Sequence, residues 1–205
     1  VGYALQRLGL NRALAIGPLS PLLAAFGLAI VVESLLLERF SADTRALDIG
    51  ALGTASVRLS ERVSVGLLPL LTFAVGMTAV AALQWYLFRT RGGRTMRATS
   101  EDHEAAQLMG VDDRHVYAVA TATALALVAV AGVFLGMRTT FAPTAGAATL
   151  LFAFEAVVIG GLGSLWGTLA GGMVLGVAQL VGAAISPGYG ILTGHIVVLL
   201  VLAFP

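Results

Sequence analysis

Long apolar runs separated by short polar intervals dominate the pattern of residues along this chain. A helix needs about 20 mainly apolar residues to cross roughly 30 Å of hydrocarbon. The runs therefore predict an all-α, polytopic transmembrane helical bundle with five to six membrane segments. The candidate segments cover residues 19–37, 65–88, 116–137, 147–159, 165–185 and 191–204. The fourth is short for a full crossing and precedes a glycine-rich stretch, so it either crosses with a tilt or break or re-enters the membrane.

The polar intervals indicate the connections between these segments. Residues 1–17 contain Arg7, Asn11 and Arg12 and are too polar to span, so we interpret them as the end of a helix followed by a loop. Residues 38–62 carry four acidic and four basic side chains, which predicts an extramembranous loop of balanced charge. Residues 138–144 form a short connection on the same side of the membrane as the loop 38–62.

The interval 89–115 is the longest charged stretch of the chain. Its first third holds four arginines directly behind an apolar run, and basic residues in that position mark the cytoplasmic side of a membrane protein. We expect these arginines to hold the loop at the membrane surface by contacts with lipid headgroups. The anchoring residues are Arg89, Arg91, Arg94 and Arg97. Because successive membrane segments run in opposite directions, Arg7 and Arg12 then lie on the cytoplasmic side and the loop 38–62 on the external side.

The middle of this interval predicts a short amphipathic helix. Thr99 or Ser100 can cap its start, where carboxylates suit the positive end of the helix dipole, and Gly110 suits its end. Asp112 or Asp113 can cap the helix that follows. A small apolar face recurs at spacing i, i+3, i+4 and consists of Ala105, Leu108 and Met109. Such a face either docks on another subunit or lies among lipid headgroups, and the pattern leaves both open.

Glycine accounts for 25 of the 205 residues, and several glycines recur at a spacing of four. This spacing lets helix backbones approach closely in lipid, where packing drives association. We therefore expect a multi-helix bundle rather than isolated anchors. The candidate packing positions are Gly132, Gly136, Gly163, Gly167, Gly171, Gly172 and Gly176.

Few polar side chains fall inside the apolar runs. An ionisable group in a bilayer costs at least a few kcal/mol, so each one is a functional candidate. Glu155, Gln179 and His195 are the candidates for lining a translocation path. His195 alone does not make a metal site, and it is equally compatible with a packing role.

Composition and missing motifs exclude several classes of protein. A hydrophobic fraction of 58% with only 11% charged residues excludes a soluble globular domain. The absence of cysteine excludes disulfides and thiolate metal sites within these residues. The chain contains neither a phosphate-binding G-x-x-x-x-G-K-[ST] loop nor an H-E-x-x-H pair. We expect no catalytic set, no cofactor, no metal and no nucleic-acid partner.

Two segments carry a resemblance to a known family. In RTRGGRTMRATSEDHEAAQLMGV, residues 89–111, Glu104-Ala105-Ala106 is followed after three residues by Gly110. This resembles the EAA-x-x-x-G loop of ABC importer permeases, which sits in a groove of the ATP-hydrolysing subunit. With AFEAVVIGGLGSLWGTLAGGMVLG, residues 153–176, the chain from about Leu19 onward resembles the permeases of high-affinity branched-chain amino-acid ABC importers. It lacks the Ile-x-Leu-Pro that usually follows the glycine of that loop.

The resemblance implies a transport subunit rather than an enzyme. It implies a single transmembrane permease domain over residues 1–205 in a bacterial-type cytoplasmic membrane, with the loop 89–115 on the cytoplasmic side. The implied partners are two ATPase subunits, a second permease (identical or different) and an extracytoplasmic solute-binding protein. The residues assigned to ATPase coupling are Glu104, Ala105, Ala106, Leu108, Met109 and Gly110.

The resemblance also implies the transport mechanism. The solute would be a branched-chain amino acid or a related small polar molecule such as urea or an amide, moved by alternating access. A passive channel or secondary transporter with the same bundle, and a purely structural subunit, remain alternatives. The chain opens on Val1 without methionine, and the family's chains are longer at the N-terminus. We therefore expect a permease truncated at the N-terminus and at the extreme C-terminus.

Overall fold

The structure is a computed structural model and describes residues 1–14, 16–17, 19–60 and 63–203. Helices form most of it, with one β-hairpin between them. In chain order the elements are α1 (Gly2–Leu5), a π-helical turn (Gln6–Leu10), α2 (Asn11–Leu14), α3 (Ser20–Phe40), α4 (Ala51–Thr54), β1 (Ser56–Ser60), β2 (Val63–Gly66), α5 (Leu67–Arg89), α6 (Arg91–Glu101), α7 (His103–Leu108), α8 (Asp113–Arg138), α9 (Ala145–Gly160), α10 (Leu165–Ile185) and α11 (Tyr189–Ala203). They divide into two compact units, Val1–Thr144 and Ala145–Pro205.

Six apolar helices coincide with the six apolar runs of the sequence. Among the described residues, α3, α5, α8 and α10 are long and apolar enough to cross a membrane, whereas α9 and α11 are apolar but shorter. Large apolar side chains are exposed along these helices, as contact with lipid requires. The predicted all-α polytopic bundle is confirmed, and the chain is a multi-pass membrane protein. Crossing by α9 and α11, and a single domain over the whole chain, stay predictions.

The N-terminal segment packs against the first half of α8 and runs antiparallel to it. A β-carbon on Gly2 would lie 2.9 Å from Cα of Ala122, so the two backbones approach closely. Further along, Asn11 Nδ2 donates a hydrogen bond to the carbonyl of Arg114 at 3.3 Å. Residues 11–14 therefore lie at the end of the unit where α8 begins. This placement agrees with the predicted helix end whose arginines share a side with the loop 89–115.

The opposite end of the same unit is closed by a backbone bridge between two loops. Arg45 and Phe141 exchange two hydrogen bonds, N–H to carbonyl in each direction, of 2.9 and 2.8 Å. The loop after α3 and the loop after α8 therefore lie on one side, as the alternation of spans predicts.

The loop expected over residues 38–62 contains regular structure that its charge pattern does not predict. Helix α4 and strand β1 lie within it, and β1 pairs antiparallel with β2, with Ser56 opposite Gly66 and Arg58 opposite Ser64. Apolar and polar residues alternate through both strands, which is the period that favours a β-strand. Helix α5 consequently begins at Leu67, slightly later than the predicted segment.

Glycines bring the helices of the second unit together. No β-carbon would fit on Gly167 or Gly171, because the backbone of α9 at Ala156 and Gly160 occupies that space. Gly163, a candidate packing position at the same spacing of four, instead lies in the turn between α9 and α10 with a φ of 92°. Gly160 supplies the third member of the contact.

The remaining candidate glycines differ in their surroundings. A β-carbon on Gly136 would lie 3.2 Å from a methyl of Leu47, and one on Gly172 would make ordinary contact. Gly132 and Gly176 have nothing described within 4 Å of that position. Their packing role within the described residues is therefore not observed and stays a prediction for a larger assembly.

Candidate functional site

The chain reverses direction directly after α5. Thr90 caps α6 by accepting a hydrogen bond from the amide of Gly93 at 3.0 Å. Gly93 is buried against the backbone of Tyr86 and Leu87, where a β-carbon would not fit. The absence of a side chain at this position therefore lets α6 fold back onto the end of α5.

The four arginines of the anchoring cluster do not share one environment. Three of them, Arg89, Arg91 and Arg94, have exposed side chains. Arg97 instead stacks on Phe88, with its guanidinium carbon 4.2 Å from the ring centroid. Its Nε atom is buried and has no hydrogen-bond partner among the described residues. The arrangement leaves three arginines directed to the surroundings, while Arg97 ties α6 to α5.

The predicted coupling helix is two helices with a break at Asp102. The carboxylate of Asp102 caps α7 by accepting a hydrogen bond from the amide of Ala105 at 3.0 Å. The predicted caps are wrong because both residues already lie inside α6: Thr99 is buried, and Ser100 donates back to the carbonyl of Arg97. Helix α7 is consequently short, and its cap lies two residues after Ser100, the later of the two expected caps.

The end of α7 and the start of α8 follow the sequence prediction. Gly110 has a φ of 82°, and its amide donates to Gln107 while that of Val111 donates to Ala106, at 2.9 and 3.1 Å. This pair of bonds is a Schellman motif, which ends a helix at a glycine. Asp112 then caps α8 by accepting from the amide of Arg114 at 3.1 Å. Helix α7 is thus fixed at both ends.

Most of α7 faces outward. Leu108 is 89% exposed and Met109 is 85% exposed, although both side chains are large and apolar. Ala105, on the same predicted face, is exposed as well. Ala106 is the exception, since it is only 6% exposed and holds α7 against the rest of the unit. A helix this short cannot cover its own apolar face, so that face is open to a partner.

Acidic side chains surround this apolar face. Exposed carboxylates lie before, on and after α7, and among the described residues none of them forms an ion pair. Asp113 is half-buried and accepts a hydrogen bond from Gln107 at 2.6 Å. We call Leu108 and Met109 together with the exposed carboxylates the α7 surface. Its acidic members are Glu101, Asp102, Glu104 and Asp112.

The second unit brings two of the three path candidates into contact. Nδ1 of His195 on α11 forms a hydrogen bond with Oε1 of buried Glu155 on α9. The imidazole also stacks on Phe152, with ring centroids 6.0 Å apart. Gln179 lies on α10 beside Gly194, where a β-carbon would be 3.2 Å from its Nε2. Sequence reasoning selected these residues one by one; nothing in their spacing indicated the pair.

These polar groups are not arranged as a metal site. Within the described residues, no group of three His, Asp or Glu side chains lies together in a way that could hold a metal ion. The oxygen Oε2 of Glu155 is buried and accepts no hydrogen bond from the described residues. Within this apolar unit, Oε1 of Glu155 therefore has a hydrogen-bond partner and Oε2 has none among the described residues.

Comparison with known proteins gives a consistent result. The model of a family described as branched-chain amino acid transport system / permease component matches residues 1–204. The high-affinity branched-chain amino acid transport system permease protein BraD of Pseudomonas aeruginosa is 31% identical over 187 residues, which cover 89% of this chain and 60% of that protein. LivH of Escherichia coli K12, described in the same words, is 30% identical over 186 residues, with the same coverage.

The matches extend to a permease named for another solute. The fructose import permease protein FrcC of Rhizobium meliloti is 30% identical over 171 residues, covering 79% of this chain and 48% of that protein. The chain thus spans about 60% of the length of the branched-chain relatives. No solved structure gives a significant match.

Proposed function

Because this chain belongs to the family of permease components of branched-chain amino acid transport systems, we propose that it forms part of the membrane pathway of an ATP-driven importer. The proposed cargo is a branched-chain amino acid or a related small polar solute. ATP hydrolysis takes place on separate ATPase subunits, and the permease itself catalyses no reaction. A second permease subunit and an extracytoplasmic solute-binding protein complete the proposed assembly.

The exposed apolar face of α7 is the observation that carries this proposal. Burying a large apolar side chain is worth about 1.5–3 kcal/mol relative to leaving it in water. Leu108 and Met109 are almost fully exposed, so a groove that receives both gains energy from each of them. The caps at Asp102 and Gly110 hold the helix before any partner arrives, which lowers the entropy lost on binding. These properties support a docking element.

The charge around this face favours a protein groove over the lipid surface. The cytoplasmic surface of a bilayer is negatively charged and attracts basic segments. The α7 surface instead carries four exposed carboxylates, which the lipid headgroups would repel. A groove with an apolar floor and a basic rim complements both features. We therefore assign the α7 surface to an ATPase subunit and the exposed arginines of α5 and α6 to the lipid.

The proposed coupling residues then have different tasks. Leu108 and Met109 fill the groove of the ATPase subunit. Glu104, next to exposed Ala105, contacts the basic rim of that groove. Ala106 is buried in the chain itself, so it positions α7 and does not touch the partner. Gly110 ends the helix at the correct residue. Motion of the ATPases reaches the membrane helices because α6 packs on α5 and α7 leads directly into α8, which supports alternating access.

Transport by the full-length protein tests the proposal. The permease is reconstituted in liposomes with its ATPase subunits and its binding protein, and uptake of radiolabelled leucine is followed. We expect uptake only when ATP is present on the ATPase side. Uptake that continues without ATP would instead identify a channel or secondary transporter. Leucine, urea and fructose compared in one assay define the solute class.

A further inference from the structure

The unit formed by α9, α10 and α11 contains very few ionisable side chains. Glu155, His195 and Tyr189 are the only ones between residues 145 and 205. Two of the three are bonded to each other, although they are 40 residues apart in sequence. Ionisable residues inside membrane helices are costly, and those that persist usually take part in moving a solute or ion. The close glycine contacts join α10 to α9 and to α11, whereas this pair joins α9 directly to α11. The pair is therefore a candidate for contact with a transported solute.

Glu155 has capacity for a donor that the described chain does not supply. One carboxylate oxygen is bonded to the imidazole of His195, and the other, Oε2, is buried without a partner. Buried polar atoms in proteins nearly always have a hydrogen-bond partner, so Oε2 calls for a donor such as a water, an ion or a ligand. The negative charge of the carboxylate selects a cationic donor over a neutral one.

We infer that Glu155 binds the ammonium group of the transported solute, and that His195 holds the carboxylate in position when solute is absent. This inference rests on the proposed function and names the part of the solute that Glu155 recognises. On binding, two ammonium N–H groups donate to Oε1 and Oε2, and the imidazole Nδ1–H leaves Oε1. The exchange fills the acceptor that is otherwise empty.

The surroundings of the pair fit a solute with an apolar side chain and a carboxylate. The side chain of His195 is 36% exposed and that of Glu155 8%, so the imidazole is the more accessible of the two. Phe152 stacks on that imidazole. When the imidazole moves away, the phenyl ring presents an apolar surface to the solute. Gln179 lies beside Gly194, the neighbour of His195 in sequence, and its amide can donate to a carboxylate. The carboxylate of Glu155 and the ring of Phe152 complement the ammonium group and the apolar side chain of such a solute.

Chemical protection of Glu155 tests this inference directly. Glu155 is the only side-chain carboxyl between residues 145 and 205, so a hydrophobic carbodiimide that modifies it can be located by mass spectrometry. We expect leucine to slow the modification of Glu155 several-fold in the full-length assembled importer. The matched control is 4-methylpentanoate, which has the same side chain and carboxylate but no ammonium group, and it should give no protection. Equal protection by both compounds, or by neither, would overturn the inference.

A substitution separates recognition from structure. Glu155→Gln keeps the size of the side chain and its hydrogen bond to His195 but removes the charge. Loss of a charge-assisted bond predicts a KM for leucine raised about tenfold, with unchanged maximal rate and thermal stability. An unchanged KM, or a loss confined to maximal rate or stability, would make the pair a structural clasp and overturn the inference. ATP-independent uptake by the wild type would refute the proposed function alone, because protection of Glu155 is measured without transport.

Discussion

The backbones of Gly160 and Gly167 touch where α9 meets α10, and neither residue has space for a β-carbon. The amide of Gly167 also donates to Oγ of Ser164 at 3.0 Å, which caps the start of α10. The close approach of these helices therefore depends on missing side chains. Van der Waals packing of this kind replaces the hydrophobic effect as the force between helices in lipid.

Substitution of Gly171 tests this packing with a matched control on the same helix. A β-carbon at Gly171 would lie 2.7 Å from the amide nitrogen of Gly160, so Gly171→Ala should destabilise the protein by about 1–3 kcal/mol. Gly176→Ala should cause no loss of stability, since nothing described lies within 4 Å of that position. The apparent melting temperature of the full-length permease in detergent measures both. Equal losses in the two variants would contradict the role assigned to Gly171.

Substitution of Asp102 tests the division of the loop into two helices. Removing a helix cap costs about 0.5–2 kcal/mol, so Asp102→Ala should loosen α7. Amide hydrogen exchange over residues 103–108 should become faster by several-fold. Ser100→Ala serves as the control because Ser100 does not cap α7, and its exchange pattern there should match the wild type. Faster exchange in Ser100→Ala alone would place the cap where the sequence first suggested it.

The orientation of the chain can be checked with single cysteines. The 205 residues contain no cysteine, so an introduced cysteine is the only one among them that a maleimide can label. Ser100 and Thr140 are both exposed; Ser100 belongs to the loop that precedes α8, and Thr140 lies two residues after α8. We expect a membrane-impermeant maleimide to label Ser100→Cys only from the cytoplasmic side and Thr140→Cys only from the other. The reverse pattern would contradict the predicted topology, and labelling of both from one side would contradict the crossing by α8.

The two kinds of arginine in the loop should respond differently to substitution. Arg97→Gln removes the contact with Phe88 and should lower the stability of the permease in detergent by about 0.5–2 kcal/mol. Arg91 is exposed, so Arg91→Gln should leave stability in detergent unchanged. Thermal melting of the two variants under identical conditions gives the comparison. If Arg91→Gln were the more destabilising change, the stack on Phe88 would not be holding α6.

The sequence predicted the elements that depend on local residue pattern. It missed those that depend on contacts between distant residues, or on which of several nearby residues caps a helix. Six apolar helices, the end of α7 at Gly110 and the cap at Asp112 follow from hydrophobic run length and from residue types that suit helix ends. The hairpin was missed although apolar and polar residues alternate through it, because charge dominated the interpretation of that loop. The Glu155–His195 pair joins separate helices, so spacing along the chain carries no signal of it.

The division of the coupling region shows why helix boundaries were the weak point. Gly93 makes a close contact with α5, and helix α6 continues past it to Glu101. Arginine, methionine and alanine are good helix formers, and they outweigh the glycines once α5 supports the helix. Since Thr99 and Ser100 then lie inside α6, Asp102 is the residue that caps α7.

The central claim is that the α7 surface docks on an ATPase subunit. Buried Ala106 is a poor place to test it, because a large side chain there would disturb α7 itself. Leu108→Glu combined with Met109→Glu alters only exposed side chains, and Ala98→Glu at an exposed position of α6 adds negative charge outside the α7 surface as a control.

The most direct measurement is the Kd of the purified ATPase subunit for the full-length permease in detergent. Losing two buried apolar contacts predicts binding at least tenfold weaker in the double variant, since 1.4 kcal/mol corresponds to about tenfold. The Ala98→Glu control should bind as the wild type does, and all three proteins should melt at the same temperature. Wild-type affinity and ATP-dependent uptake in the double variant would contradict the account.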